Sequence, residues 1–428
     1  MNERLEIIGG HRLAGVARAS GSKNAGFPIL AATLLTETPI QLRNVSRIAD
    51  LSCFLDILLA LGVSIQRSGD DVFVDSSGLN SCAVPVELGS RIRGSYYLLG
   101  SLLSRLGVAE IPLPGGCPVG DRPMDLHVTC LTRLGCTIRE QNQTLYATAP
   151  AFGPIRSVHL ELPFPSRGAT INVLLFAAKR PDLVVHLDNA NTSPESVCLQ
   201  RLLRQMGVDV QPVGATKLTI MGTPAPKAAL PFTIIADKIE IATLSLAGLL
   251  TGGDVSVDNV DLPALRPLLA LLEKMGVTVD TEQCRLRLST TRPLKAADVV
   301  PGLNTDDLDA DFEPLLAVAL TQAEGTSFIS DTINPGRHAQ FLPYLQRAGA
   351  RIEVLGPTQA KIFGPCLLKP FDGRANDIRG GASQVLAALA AAGVSTITGI
   401  HHIDRGYQSL DAKLVDLGGH LKRIGDEA

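Results

Sequence analysis

DLSCFLDILLALGVSIQRSGDDVFVD, residues 50–75, is a leucine-rich stretch that stops at Leu61-Gly62 and gives way to two short alternating runs. The stretch predicts a helix, the Gly a C-cap that needs positive φ, and the two runs a β-hairpin. The pattern returns as TRLGCTI (132–138), RQMGVDV (204–210), EKMGVTV (273–279), QRAGARI (346–352) and VDLGGHL (415–421). The marker glycines are Gly62, Gly135, Gly207, Gly276, Gly349 and Gly418, separated by 73, 72, 69, 73 and 69 residues. A period this regular means one structural unit copied six times.

Upstream of each marker the order of signals is constant. A small or polar start opens an Ala/Leu helix, as in KNAGFPILAATLL (23–35), GATINVLLFAA (168–178) and GASQVLAALAAA (381–392). A short strand follows, such as PIQLRNV (39–45) or DVSVDNV (254–260), and then the helix that ends at the marker. Each ~70-residue unit therefore reads βαβαββ, and the class is α/β (α+β) with helix-covered mixed sheets. Units of that size are small subdomains, so the expectation is two lobes of three units each. GTPAPKAALP (222–231), the Pro/Ala-rich stretch at the midpoint, is the expected hinge, with the active site in the cleft between lobes.

Bulk composition narrows the function. Hydrophobic residues make up 45% and charged residues 19% of 428, enough for a large core and against disorder. A formal net charge of −3 and the absence of Trp give no sign of a nucleic-acid or anionic-membrane partner. MNERLEIIGGHRLAG lacks an apolar signal core, and the apolar runs are too short to span a bilayer, so a soluble cytoplasmic chain is expected. The eight cysteines form no CxxC pair and no zinc-type cluster, and read mostly as reduced core residues.

Four stretches break the repeat. The loop LPGGCPVGDRPMDLH (113–127) sets Cys117 among three glycines and three prolines, with Arg122 nearby. A thiol there suits a lowered pKa; the same composition equally describes a surface turn with an incidental Cys. SGSKNAG (20–26) opens the first helix beside Lys23, a weak anion-site signal that an ordinary N-cap also explains. NTDDLDADFEP (304–314) loads a helix start with Asp306, Asp307, Asp309 and Asp311, which reads as a general base, a metal site or an acidic first turn. HHIDRGYQSLDAKL (401–414) holds Arg405 and Tyr407 in a turn. Arg122, Arg337 and Arg405 share one strand-to-helix junction in three units, while Arg93 and Arg379 precede the first helices of two. That recurrence predicts arginines converging, with Lys23, on a small polyanion.

SGSKNAGFPILAATLLT, PGGCPVGDRPMDLH, SRGAT and HIDRGY, with the sixfold repeat, resemble the enolpyruvyl transferase superfamily over essentially the whole chain. They are most similar to the branch whose acceptor is UDP-N-acetylglucosamine, in the first committed step of peptidoglycan synthesis; the shikimate-phosphate branch lacks the Cys loop. The resemblance implies a two-lobed inside-out α/β barrel, with lobes of residues 22–229 and of 1–21 plus 230–428. It implies transfer of the enolpyruvyl group of phosphoenolpyruvate to a hydroxyl, with release of phosphate. The route is addition then elimination through a tetrahedral ketal, without metal or organic cofactor. Lys23, Arg122 and Arg405 then surround the phosphate; Arg337, Arg379 and Arg405 lie near the carboxylate; Arg93 supports the closed loop. Cys117 becomes the proton donor to the methylene carbon, and Asp307, with Asp306 as rival, the base for the acceptor hydroxyl. Asn24 touches the acceptor sugar, Arg122, Pro123, Met124, Asp125 and Leu126 hold uracil, and Ser166, Arg167 and Gly168 belong to the acceptor side.

The acceptor side departs from the family pattern. Phe164 stands where a diphosphate-contacting Lys is usual, Arg167 for Val, Ser193 for Glu, Lys238 for Arg, and Asp309 and Asp311 for two Gln. The phosphoenolpyruvate side is intact. This pattern suits a divergent cell-wall enzyme, placed first, or a paralogue that uses another uridine nucleotide such as UMP in nucleoside natural-product synthesis. A non-catalytic nucleotide-binding paralogue has no use for the retained Cys117, Lys23 and arginines.

Overall fold

The computed structural model describes residues 3–113, 124–227, 231–303 and 306–425. All six marker glycines follow a helix with positive φ, at 96°, 99°, 86°, 90°, 95° and 88° in chain order. A Cβ is disfavoured in that region, which is why the residue type recurs there. After each of the first five glycines the chain forms an antiparallel hairpin whose second strand pairs with the unit's short strand. In the first unit Ser64–Ser68 pairs with Asp71–Asp75, which pairs with Ile40–Arg43. Among the described residues the result is six separate sheets of three or four strands.

The helices lie inside these sheets. Lys23–Ala32, Tyr97–Leu106 and Arg167–Ala177 pack on one another, as do Lys238–Leu250, Glu313–Thr321 and Ile378–Ala390. Each is apolar on nearly every face and buried along most of its length. A helix without a polar face is stable only when enclosed, so the sheets take the solvent side. The hydrophobic residues fall into two cores: one runs from Ala25 to Ile234, and the other joins Leu5–Ala19 to Ala236–Leu417.

The lobes exchange strands. Arg4–Gly9 inserts between Gly393–Thr398 and His420–Ile424, taking the place that the closing hairpin strand holds in other units. Ala14–Arg18 lies parallel to Asp254–Asp258, and Phe232–Thr233 lies parallel to Ile40–Arg43. The two crossings run side by side: Gly21 bridges Ala236, Ser22 N donates to Ile235 O at 2.8 Å, and Asp237 N donates to Ser20 O at 2.8 Å. A Cβ on Gly21 would lie 1.7 Å from the Asn44 carbonyl oxygen, so only Gly permits that approach. The crossing falls a few residues beyond the Pro/Ala stretch. Thr223 and Lys227 bond back to Ala178 and Met206 of the third unit, which anchors that stretch to the first core.

Candidate active site

A cavity of about 640 Å³ lies between the two cores, and the start of every central helix reaches it. Lys23 and Asn24, Tyr97, Arg167 and Gly168, Lys238, Ala310–Phe312 ahead of Glu313, and Ile378 with Arg379 all line it. The repeat is the cause: equivalent junctions of equivalent units face one space. Converging helix N-termini favour anionic ligands through their dipoles. Several starts are capped by their own sequence. Ser22 accepts from Ala25 N at 3.2 Å, Asp237 from Ile239 N at 2.9 Å, and Asp377 from Arg379 N at 3.0 Å. Ser22 is thus the ordinary N-cap foreseen as one reading, and Lys23 next to it also faces the cavity.

Three ion clusters line this space. In the first, Lys23 Nζ and Arg405 Nε meet the Asp50 carboxylate at 3.1 and 2.7 Å. Lys23 and Asp50 belong to the first lobe and Arg405 to the second, so the contact crosses the cleft. In the second, Arg337 Nη2 and Arg379 Nε donate to opposite oxygens of Asp311, at 2.9 and 3.2 Å. Arg337 is also held by the Ala310 carbonyl at 2.6 Å and approaches Asp331 at 3.9 Å. Arg379 sits over the Tyr407 ring at 5.4 Å. Burial pushes the Tyr407 phenol up to about 12 despite the neighbouring Arg379, so it stays protonated at neutral pH.

The third cluster joins the lobes through four charged residues. Lys238 Nζ lies 2.8 Å from Asp309 Oδ2 and 3.2 Å from Glu195 Oε1. Arg167 Nη2 lies 3.0 Å from Asp309 Oδ2 and 3.9 Å from Glu195 Oε2. Burial pushes the Asp309 carboxyl up, but Lys238 and then Arg167 outweigh it and hold it well below the usual carboxylate range. Glu195 is held low by the same balance. Three members, Arg167, Lys238 and Asp309, are positions where the chain departs from the family pattern. These three departures meet in one ion network.

Of the site residues implied by the resemblance, Lys23, Asn24, Arg93, Asp125, Leu126, Ser166, Arg167, Gly168, Asp307, Arg337, Arg379 and Arg405 line the cavity, as do Phe164, Ser193, Lys238, Asp309 and Asp311 among the departures. Asp307 does so, while Asp306 is exposed and outside the lining. Met124 packs against the first core instead, because its side chain precedes a helix whose apolar face turns inward. Cys117, Arg122 and Pro123 lie outside the described residues. Among the described residues the cysteines are free thiols. No group of three His, Cys, Asp or Glu among those residues is arranged to hold a metal, and no helix there is long and apolar enough to cross a membrane.

Sequence reasoning missed Asp50, Glu195 and His127. Asp50 carries only the signal of an acid in a helix first turn. His127 lines the cavity, but burial and then Arg93 lower its pKa to about 3. It is therefore neutral, and Asn172 Nδ2, 2.8 Å away, donates to its Nδ1, leaving the proton on Nε2. It adds no charge to the cavity wall at neutral pH.

The model of the EPSP synthase (3-phosphoshikimate 1-carboxyvinyltransferase) family matches residues 7–414. The chain belongs to this family. It is a carboxyvinyltransferase, an enolpyruvyl transferase in the alternative name. Among relatives, the UDP-N-acetylglucosamine 1-carboxyvinyltransferase of Nostoc sp. is 38% identical, over 99% of this chain and 94% of its own length. The enzyme of the same name from Prosthecochloris aestuarii is 35% identical over 98% of each. Among solved structures, the enolpyruvyl transferase NikO from Streptomyces tendae superposes with a TM-score of 0.89 at 28% identity, covering 99% of both chains. EPSP synthase from Acinetobacter baumannii, at 17% identity, shares the fold with a TM-score of 0.78 over 99% of this chain. The carboxyvinyltransferase fold thus comes with an inter-lobe cavity whose lining includes twelve of the site residues implied by the resemblance.

Proposed function

We propose that the protein transfers the enolpyruvyl group of phosphoenolpyruvate to a hydroxyl of UDP-N-acetylglucosamine and releases inorganic phosphate. The observation that carries this reading is the convergence of Lys23, Arg337, Arg379 and Arg405 on one cavity ringed by helix N-termini. Phosphoenolpyruvate carries a phosphate and a carboxylate, and bidentate arginines suit both. Lys23 and Arg405 hold the phosphate, and Arg337 and Arg379 the carboxylate. Asp307 takes the proton of the acceptor hydroxyl as its oxygen bonds to the central carbon. Cys117 delivers a proton to the methylene carbon, giving the tetrahedral ketal. Loss of a proton from the new methyl group then expels phosphate and restores the double bond. Cationic groups in a water-poor cleft stabilise the anionic intermediate. The relatives' name supports the acceptor.

A second acceptor reading rests on the third ion cluster. Arg167 and Lys238 are matched by Asp309 and Glu195, so their charge is already neutralised within the protein. Phe164, 44% exposed, stands on the same wall. That wall suits a uridine nucleotide that needs less cationic support than a diphosphate sugar. Phosphate release from phosphoenolpyruvate decides between them, measured with UDP-N-acetylglucosamine, UMP and other uridine nucleotides, with products weighed by mass spectrometry. Turnover with the sugar nucleotide is the expected result. Turnover only with another uridine nucleotide would make Phe164 and the Arg167 cluster the specificity determinants.

A further inference from the structure

Asp311 occupies an unusual position. Its carboxylate lies on the cavity wall, 22% exposed, and bridges two arginines that are only 3% and 4% exposed. The arginines come from different elements: Arg337 precedes the helix His338–Arg347, and Arg379 stands in the first turn of Ile378–Ala390. Neither depends on Asp311 alone for its place. Arg337 Nη1 is fixed by the Ala310 carbonyl, and the guanidinium of Arg379 rests on the Tyr407 ring. Arg337 Nε and Arg379 Nη1 are buried and have no hydrogen-bond acceptor among the described residues. A buried guanidinium donor without an acceptor is costly, and an oxyanion relieves it.

Two arginines fixed by other contacts, donating to opposite oxygens of one carboxylate, make a carboxylate-binding fork that already holds a carboxylate. Asp331 is the next nearest acid, but it accepts from Ile333 N and Asn334 N at 2.9 and 2.8 Å, which ties it to its own turn. Asp377 is likewise committed to the first turn of its helix. Asp311 is the more exposed acid, and it stands in the 3-10 turn Ala310–Phe312 ahead of the helix Glu313–Thr321. We infer that Asp311 is an intramolecular competitor for the substrate carboxylate, holding Arg337 and Arg379 until phosphoenolpyruvate displaces it, and so sets the affinity for that substrate. This rests on the assignment of those two arginines to the carboxylate of phosphoenolpyruvate. The apparent affinity for a ligand falls by the fraction of protein in the competent state, so removing the competitor tightens binding.

The test measures KM for phosphoenolpyruvate by phosphate release, using the full chain and the uridine nucleotide that turns over. Asp311→Asn and the longer Asp311→Gln are compared with Arg379→Lys, and thermal unfolding checks that each variant is folded. Both Asp311 variants are expected to lower KM for phosphoenolpyruvate by about three- to tenfold with kcat little changed. Binding of inorganic phosphate, measured by titration, should stay as in the parent, because Lys23 and Arg405 form a separate cluster. Arg379→Lys should raise KM. A KM that rises or stays constant in both folded Asp311 variants, with Arg379→Lys still raising it, overturns the competitor role and makes Asp311 a positioning residue. A KM indifferent to Arg379→Lys overturns the carboxylate assignment beneath it.

Discussion

The Lys23 cluster and the Arg167 cluster line the same cavity but are built on opposite principles. Lys23 and Arg405 share the carboxylate of Asp50, two cations to that one acid. Arg167 and Lys238 face two carboxylates, Asp309 and Glu195, and balance within themselves. Lys23 and Arg405 lie in stretches that carry the resemblance; Arg167, Lys238 and Asp309 are departures from it. A site under demand to bind an anion keeps its imbalance, whereas a site that has exchanged one acceptor-facing residue must exchange its partners with it. Arg167 without Asp309 would be a cation facing Lys238. Asp309 without them would be a partly buried carboxylate, 16% exposed, lacking a counter-charge.

That difference predicts what each cluster does when broken. The largest effect is expected at the reacting hydroxyl: Asp307→Asn should reduce kcat by about 10³-fold while phosphoenolpyruvate still binds, as seen by titration. Lys23→Met should lower kcat/KM by about 10²- to 10³-fold, with urea unfolding almost unchanged. Lys238→Met should do the reverse. It leaves Glu195 and Asp309 with one cation fewer in a buried setting, and about 3 kcal/mol of unfolding free energy should be lost. Equal losses of stability in the two lysine variants would break the comparison. Gly302→Ala is subtler: a Cβ there would lie 2.2 Å from Asp307 Oδ2 and would push that carboxylate aside. About a tenfold drop in kcat, with a folded protein by circular dichroism, is expected from such a displacement.

The smallest effect is in pH dependence. The folded pKa of Asp309 is depressed below its ordinary value, so the unfolded chain takes up its proton first as pH falls. The stability contributed by Asp309 is therefore complete above pH ~4 and is lost as pH drops below that value. Asp309→Asn should flatten the acid decline of Tm, and an unchanged decline would remove Asp309 from the lobe-joining network.

Periodicity made the fold readable. Six Leu-rich helices each end on a Gly that needs positive φ, and that local requirement survives whatever the tertiary context. The convergence of Arg337, Arg379, Arg405 and Lys23 was legible for the same reason, because equivalent junctions must face one space. Asp50 was not legible: it looks like any acid at a helix start, and its partner Arg405 is 355 residues away. Glu195 was hidden the same way, as a first-turn acid whose partners Arg167 and Lys238 lie on two other elements. The lobe crossing was misplaced by a few residues because Pro and Ala content marks a poor helix, not a point where backbone pairs between lobes. Met124 was drawn into the site by its neighbours, although its side chain has the apolar core to satisfy.

The strand Arg4–Gly9 has a consequence for how the protein is made. The first core, Ala25 to Ile234, is continuous in sequence and can close while synthesis proceeds. Arg4–Gly9 emerges before it, yet both of its neighbours, Gly393–Thr398 and His420–Ile424, emerge last. At typical rates of translation that strand waits roughly 20–80 s with both edges unpaired. Arg4 and Glu6, alternating with Leu5 and Ile7, give it charges of both signs during the wait, a pattern that discourages pairing with other nascent chains.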